Sequence, residues 1–193
     1  MRLTKDKCFG LIVWVVIVPA AGYSQEATGP VQQLVETSAR RLAIAGQVAL
    51  GKWDSGAAVE DTAREAQVIA SATKAGEAMG LDREDVANCF RAQIEANKLV
   101  QYALLADWHR AGKAPAHKPF NLKDMIRPEL DQLETQLLVA LAKTKELRAE
   151  PACSTEIAKE VGKYVSANKG KVTEVEAIAL DRAMAQVCET AKR

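Results

Sequence analysis

Helical spacing of apolar residues is the feature that most constrains the fold of this chain. From about residue 31 onward, apolar residues recur three or four positions apart, and no segment alternates between apolar and polar residues with a period of two. Only 5% of the residues are aromatic, so the core must consist mainly of Ala, Leu, Val and Ile. This composition favours helices over strands. We therefore predict an all-α fold, a bundle of about six helices.

Glycine, proline and capping residues set the predicted helix boundaries. Gly80 and Gly112 follow predicted helix ends, and Asp82 is a predicted N-cap. Pro128 is expected to kink or fray the start of the fourth helix. The six predicted helices span 31–53, 57–80, 82–112, 122–148, 154–168 and 171–191. We expect a single domain over 25–193, with its C-terminal helices, in 150–193, appended as a hairpin to a bundle of four.

The N-terminus is typical of a secretory signal peptide. A basic start, "MRLTKDK", precedes the 15-residue apolar run "CFGLIVWVVIVPAAG", which is short for a membrane span. We predict that residues 1–24 are cleaved and that the protein is periplasmic or secreted; the alternative is an uncleaved anchor. Removal of three basic residues and one acidic residue leaves 23 basic and 24 acidic residues. This balance indicates neither a nucleic acid nor, after cleavage, a membrane as partner.

Three cysteines remain after the predicted cleavage, and in an exported protein two of them are expected to pair. Three pairings are possible. Cys89 lies mid-helix among apolar neighbours in "VANCFRAQI", so we interpret it as a buried free thiol. We therefore predict a disulfide between Cys153 and Cys188, near the two ends of the C-terminal segment. Closing that loop should stabilise the fold by roughly 3–4 kcal/mol.

Polar residues interrupt the apolar stripes of three predicted helices. Arg41 and Lys52 are 11 residues apart, nearly a whole number of helical turns, so both project from the face that also carries Leu34. The next two helices repeat this pattern with Asp61, Arg64 and Glu65, and with Asn97 and Gln101. One interpretation is a set of buried ion pairs, such as Asp61 with Arg64. The other is a pocket for a small, rigid, multiply anionic ligand, since buried cations are costly without an anion.

Motifs for covalent, metal or nucleotide chemistry are missing from the sequence. There is no GxGxxG, P-loop, CxxC or HExxH pattern. The two histidines, His109 and His117, lie near the predicted loop and away from the stripes, so we expect them to be exposed rather than catalytic. We predict no cofactor and no metal. Any chemistry would then depend on positioning and electrostatics.

Three segments carry a family resemblance: "ARRLAIAGQVALGKW", "VEDTARE" and "FRAQIEANKLVQYALLADW". They resemble the AroQ-type, all-helical chorismate mutases, and the signal peptide and C-terminal cysteines resemble the exported gamma subclass. The family has an Arg, a Lys 11 residues later, and an Asp and an Arg 9 and 12 residues beyond that Lys. A small polar residue follows the second Arg by 33, and a Gln or Glu lies one turn later. The motif-bearing part spans about 40–110, with weaker agreement to about 130.

The resemblance implies a reaction and its catalytic residues. Chorismate would rearrange to prephenate in one [3,3] step, without cofactor or covalent intermediate. Lys52 and Gln101 would donate to the ether oxygen, where negative charge develops. Arg64 would hold a carboxylate, and Glu65 would take the ring hydroxyl.

The resemblance also implies the residues that bind the substrate. Arg41 would hold a carboxylate, Asn97 would support one, and the backbone near Asp61 would assist at the hydroxyl. Arg127, in "DMIRPEL", would supply a further cation from a later helix. The family further implies a possible homodimer with a complete site in each chain. Two alternatives remain: a non-catalytic exported protein that binds a dicarboxylate, and a structural or partner-binding bundle with internal ion pairs.

Overall fold

A computed structural model describes residues 29–118 and 122–189 of the protein. Within these ranges every regular element is a helix, apart from an isolated bridge between Lys169 and Val172. The all-α prediction is therefore confirmed. The predicted signal peptide lies outside the described residues. Among the described residues, no helix combines the length and the apolar character that a membrane crossing requires.

The helices follow the predicted order but are more numerous than predicted. Their bounds are α1 (Pro30–Ala43), α2 (Ala45–Ser55), α3 (Thr62–Ala78), α4 (Arg83–Ala111), α5 (Leu122–Met125), α6 (Arg127–Lys143), α7 (Lys145–Arg148), α8 (Cys153–Ala167) and α9 (Glu174–Met184).

Two of the predicted boundaries near the N-terminus are wrong. The first predicted helix is interrupted at Ile44, which separates α1 from α2. The second begins five residues later than predicted, because Asp61 is its N-cap: the Asp61 carboxylate accepts a hydrogen bond from the backbone N–H of Arg64 at 3.0 Å. Asp82 caps α4 as predicted, accepting from the backbone N–H groups of Glu84 and Asp85.

The fourth predicted helix is divided into α5, α6 and α7. The first break lies at Ile126, and Pro128 follows in the first turn of α6, where its missing N–H would have no intrahelical partner in any case. The expected disturbance near Pro128 is thus confirmed. The second break lies at Thr144, whose hydroxyl donates to the carbonyl of Ala140 at 2.9 Å. Such a local hydrogen bond competes with a regular continuation of the helix.

Helices α8 and α9 form the predicted C-terminal hairpin. Thr173 and Glu176 make a capping box that begins α9. Cys153 and Cys188 form the predicted disulfide, with their Cα atoms 5.8 Å apart. Cys89 is a buried free cysteine, as predicted, and burial raises the pKa of its thiol to about 12. A thiol in this environment is inert at neutral pH.

A buried arginine connects the segment after α9 to the helical bundle, close to the disulfide. Arg148 is 3% exposed, and its Nε donates to the backbone carbonyl of Val187 at 2.7 Å. Its Nη2 lies 3.4 Å from a carboxylate oxygen of Asp85 and 3.9 Å from one of Glu189. We call Arg148 and these three partners the C-terminal clasp. The clasp connects the start of α4 to the segment after α9.

Helix α4 is the central element of the core. Helices α2, α3 and α9 pack against it, and α1 packs against α4, α6, α8 and α9. The largest fully buried side chains include Leu34 on α1, Phe90 on α4 and Leu137 on α6. This arrangement leaves a space between α4 and the helices α1, α2, α3 and α6, and charged and amide side chains alternate with apolar ones in its lining.

Candidate active site

One cavity of about 220 Å³ brings together all eight residues that the sequence predicts for the site. Helices α1 to α4 and α6 contribute to its walls. The predicted residues in the lining are Arg41, Lys52, Asp61, Arg64, Glu65, Asn97, Gln101 and Arg127. Their roles toward a ligand stay predictions, but their convergence on one cavity is a property of the fold.

Arg41 lies in the last turn of α1 and is 8% exposed. Its guanidinium carbon is 5.6 Å from the ring centroid of Phe90, and Nη1 donates to the Leu130 carbonyl at a long 3.4 Å. Its Nε is buried without a hydrogen-bond partner in the described part of the chain. Burial lowers the pKa of Arg41, while Glu134 acts in the opposite direction. The guanidinium is thus desolvated but incompletely paired, which suits a group that binds an anion.

Lys52 lies in the last turn of α2 and is half-buried. Its ammonium group donates to the backbone carbonyls of Ala58, at 2.7 Å, and Val59. Burial lowers the pKa of Lys52, and the carboxylates of Asp61 and Glu65 partly offset that effect. An ammonium group has three donors, so one N–H remains for a ligand in the cavity.

The predicted acidic residues at the start of α3 have structural partners. Asp61 contacts the backbone N–H of Arg64 rather than its guanidinium, so the ion pair that the sequence allowed between these two residues is not formed. Glu65 accepts from the backbone N–H of Asp61 at 3.2 Å through one oxygen. Its other oxygen lies 3.3 Å from the ammonium group of Lys98. Both contacts fix the carboxylate of Glu65 at the cavity wall.

The two amides of α4 form a hydrogen-bonded chain that ends on α1. Gln101, which is 4% exposed, donates to the side-chain oxygen of Asn97 at 2.7 Å. Asn97 in turn donates to the backbone carbonyl of Arg41 at 3.0 Å. The carbonyl oxygen of Gln101 is buried without a partner among the described residues. The amide nitrogen of Gln101 carries a second N–H, which is available to a ligand.

Sequence reasoning missed an acidic face of α6. Asp131 and Glu134 line the cavity with Arg127, and the three residues follow at i, i+4 and i+7 on one helical face. That spacing is a signal that could have revealed them. Glu134 is half-buried and accepts from the hydroxyl of Ser71 at 3.0 Å. Burial raises the pKa of Glu134, while Ser71, Arg41 and Arg64 act against the rise.

Lys98 was also missed, although it is one of the few buried charged residues. It is 9% exposed and contacts Glu95 at 2.7 Å, Glu65 at 3.3 Å and Glu60 at 4.0 Å. Burial opposes the charge of Lys98, but its hydrogen bonds to Glu95 and Glu65 outweigh that effect and raise its pKa. Because three carboxylates already surround it, Lys98 supports Glu65 and is a poor candidate for binding an anion.

Neither histidine lines the cavity. His109 is exposed, as expected, and its ring centroid lies 4.8 Å from that of Trp53. His117 is partly buried, contrary to the expectation of exposure, because it contacts Asp54 at 2.9 Å and the carbonyl of Pro115 at 2.8 Å. The Pro115 and Asp54 contacts raise the pKa of His117. Among the described residues, no three His, Cys, Asp or Glu side chains cluster in a way that could hold a metal ion.

Comparison with known proteins assigns the family. Residues 32–102 match the model of the family described as chorismate mutase type II. The secreted chorismate mutase of Mycolicibacterium smegmatis is 32% identical to this chain over 130 residues, which cover 66% of this chain and 70% of that relative. This chain belongs to the chorismate mutase family. The protein is therefore a chorismate mutase, which is an isomerase. Of the eight predicted residues, only Arg127 falls outside the matched range.

Solved structures of chorismate mutases share this fold. The crystal structure of the chorismate mutase from Burkholderia phymatum has a TM-score of 0.77 and 43% identity, and the match covers 82% of this chain and 99% of that one. The secreted chorismate mutase from Yersinia pestis has a TM-score of 0.60 and 27% identity, with 82% and 96% covered. Two of these three similar proteins are named as secreted, which supports the exported subclass.

Proposed function

We propose that this chorismate mutase converts chorismate to prephenate in the cavity between α1, α2, α3, α4 and α6, in one [3,3] step that needs no cofactor. The observation that carries the proposal is a set of four cations in one cavity that make no ion pair with the described residues. Arg41, Lys52, Arg64 and Arg127 all line the cavity. In the described part of the chain, none of these four lies within 4.0 Å of a carboxylate oxygen. A doubly anionic substrate would supply the direct carboxylate partners that these cations lack in that part of the chain.

Arginine forks are the proposed anchors for the two carboxylates of chorismate. Arg41 and Arg64 lie on different helices, α1 and α3, so they can bind separate carboxylates of one rigid molecule. Arg127, at the start of α6, adds a third cation from another helix of the lining. Asn97 supports this arrangement by holding the backbone carbonyl of Arg41. The substrate would therefore be fixed at both ends before it reacts.

Lys52 and Gln101 are the proposed electrostatic centre. Each has an N–H that its protein partners leave available, since Lys52 donates to two carbonyls and Gln101 to Asn97. Both would donate to the ether oxygen of chorismate as its C–O bond breaks and negative charge develops there. Donors that are fixed in advance stabilise such charge more strongly in the transition state than in the substrate.

Glu65 is the proposed acceptor for the ring hydroxyl. The contacts with Lys98 and with the backbone N–H of Asp61 hold its carboxylate in place. A carboxylate has enough lone pairs to accept a further hydrogen bond while keeping both contacts. The ring would then be oriented by its hydroxyl as well as by its two carboxylates.

The experiment that tests this function follows the loss of chorismate's ultraviolet absorbance with purified mature protein, with prephenate identified as the product. Lys52→Ala should lower turnover by about 10²–10³, the usual loss for one transition-state donor. Lys74→Ala removes an exposed lysine of α3 outside the cavity and should leave turnover unchanged. Near-native turnover in folded Lys52→Ala would refute the assignment of Lys52.

The same assay separates the alternatives. A non-catalytic dicarboxylate-binding protein would show no turnover but a rise in melting temperature with chorismate. A structural bundle would show neither effect. The unpaired cations favour an anion-binding site over a bundle of internal ion pairs. In such a bundle these same cations would contact carboxylates of the protein.

Export is a second proposal, and it concerns residues 1–24. Its support comes from the basic and apolar pattern of this segment, from the names of the secreted relatives, and from the Cys153–Cys188 disulfide, which is typical of oxidising compartments. Mass spectrometry of the mature protein should show that these residues are absent. The homodimer that the resemblance implies stays a prediction.

A further inference from the structure

Gln93 connects the cavity to the C-terminal hairpin. We propose that Gln93 is a positioning residue for substrate binding, because it fixes α1, and therefore Arg41, against α4 and α9. This inference rests on the proposed function, since it assigns Arg41 to a substrate carboxylate. It gives the C-terminal hairpin a part in the geometry of the active site.

The contacts of Gln93 reach three helices. Gln93 projects from α4, is 2% exposed and lines the cavity. Its amide nitrogen donates to the hydroxyl of Ser38 on α1 at 2.9 Å and to the backbone carbonyl of Ala183 on α9 at 3.2 Å. Both amide hydrogens are therefore used, one on each neighbouring helix.

The contact with α9 satisfies a group that the helix itself leaves open. Helix α9 ends at Met184, so the carbonyl of Ala183 is one of the last four, which have no partner within the helix. Ala183 is fully buried, and an unpaired buried carbonyl would be costly. The amide of Gln93 donates to this carbonyl, and the same hydrogen bond fixes the side chain of Gln93.

The contact with α1 acts one turn before Arg41. Ser38 is fully buried and precedes Arg41 by three residues on the same helix. Three successive turns of α4 then meet this part of α1: Phe90 lies beside the Arg41 guanidinium, Gln93 holds Ser38, and Asn97 holds the Arg41 carbonyl. Gln93 is the only one of these three that also bonds to α9.

Arg41 depends on this support because its own side chain is weakly held. Its Nε has no partner in the described residues, and its one guanidinium hydrogen bond is long, at 3.4 Å. The orientation of the Arg41 guanidinium therefore depends mainly on the position of α1. Bidentate binding of a carboxylate is sensitive to such placement.

The test replaces Gln93 by a residue of similar size without hydrogen bonds. Gln93→Met should raise the KM for chorismate about tenfold, the equivalent of one lost buried hydrogen-bond contact, with kcat within about twofold. The matched control is Gln136→Met. Gln136 also bonds to α1, accepting from Arg40 at 2.9 Å, but it lies outside the cavity. The control should leave KM unchanged.

A second variant keeps the test decisive if Gln93→Met does not fold. Ser38→Ala removes only the hydroxyl and leaves the contact between Gln93 and Ala183. It should raise KM by about threefold, and its effect should not add to that of Gln93→Met, because both break the same contact. Circular dichroism and thermal melts confirm that each variant is folded.

Three results would overturn the proposal: an unchanged KM in a folded variant, a fall in kcat at constant KM, or equal KM changes in Gln93→Met and Gln136→Met. The last result would indicate general loosening of α1. If the unmodified protein converted no chorismate, the proposed function would fail first. Normal turnover with an insensitive Gln93→Met would refute only the role of Gln93.

Discussion

The cavity and the C-terminal clasp each contain a buried arginine, but the two arginines are paired very differently. Arg148 is 3% exposed, and the clasp gives it a carbonyl and two carboxylates. Arg41 is 8% exposed, has one long hydrogen bond to a carbonyl, and leaves its Nε without a partner in the described residues. Folding alone accounts for the surroundings of Arg148.

The surroundings of Arg41 need a different explanation. A buried cation that lacks a carboxylate is destabilising, and we have therefore proposed that a ligand pairs with Arg41. The two regions therefore predict opposite outcomes. Changes in the clasp should lower the stability of the fold and spare the chemistry, whereas changes in the cavity should impair the chemistry and spare the fold.

The largest stability effect is expected for Arg148→Met. This change removes the guanidinium that connects Asp85 to the Val187 carbonyl, and breaking a buried, paired charge costs about 3–5 kcal/mol. Denaturant unfolding should show this loss in the free energy of unfolding. The kcat of the fraction that stays folded should be close to that of the unmodified protein.

Arg41→Met is the matched change in the cavity. It removes a buried cation that lacks an ion pair, so the free energy of unfolding should change by less than about 1 kcal/mol or should increase. Chorismate binding should nevertheless weaken strongly, because a carboxylate anchor is lost. If Arg41→Met destabilised the protein as much as Arg148→Met, the comparison between the two arginines would fail.

Removal of the disulfide should have the next largest effect. Cys153→Ser combined with Cys188→Ser opens a loop with a sequence separation of 35 residues, which should cost roughly 3–4 kcal/mol of stability. The cavity residues lie outside this loop, so the kcat of the folded protein should persist, and KM should change only where the contact between Gln93 and Ala183 is lost as well. A melting curve and a turnover assay on the same sample distinguish the two effects. Parallel loss of activity at temperatures well below the melting transition would contradict this prediction.

The pH dependence of turnover tests the cavity at a finer level. An amide donates at any pH, so Gln101 should allow a nearly constant kcat between about pH 6 and pH 8. Turnover should fall only when Lys52 loses its proton, which occurs below its usual range because burial lowers its pKa. Gln101→Glu donates only when protonated, so its kcat should decrease as the pH rises. A steep loss in the unmodified protein between pH 6 and pH 8 would count against Gln101 as the ether donor.

The smallest effect is expected for Glu134→Gln. Burial raises the pKa of Glu134 above its unfolded value, so its protonated form favours the folded state at acid pH. That contribution is lost as the pH rises through the folded-state pKa, whereas glutamine does not titrate. The variant should therefore melt slightly higher than the unmodified protein at neutral pH and equally at acid pH. A variant that melts lower at neutral pH would show that the attraction to Arg41 and Arg64 dominates.

Much of the fold and the site could be predicted because both follow from helical periodicity. Arg41, Lys52 and Gln101 occupy inward positions at spacings that persist whatever the packing of the helices. The disulfide could be predicted because Cys89 lies in the middle of a helix among apolar neighbours, which leaves Cys153 and Cys188 to pair. The resemblance then added Arg127, which periodicity alone did not connect to the other helices.

The remaining features depend on contacts between segments that are distant in sequence. The buried apolar residues on the two sides of Ile44 keep helical spacing, so periodicity cannot reveal the break there. Gln93 and Arg148 acquire their roles from carbonyls of residues 183 and 187, about 90 and 39 positions away. The sequence pattern places Asp61 inside a helix, whereas the structure has it as an N-cap, because a carboxylate on a helical stripe and an N-cap have the same local pattern.

The disulfide also changes what a break in the backbone would mean. The turn between α8 and α9 exposes Lys169 and Lys171, and exposed turns of this kind are preferred sites of proteolytic cleavage. Both helices lie between Cys153 and Cys188, so a cut in this turn leaves a single covalent molecule. The hairpin is therefore held in a closed ring, and its last helix stays attached to the bundle even after the chain is nicked.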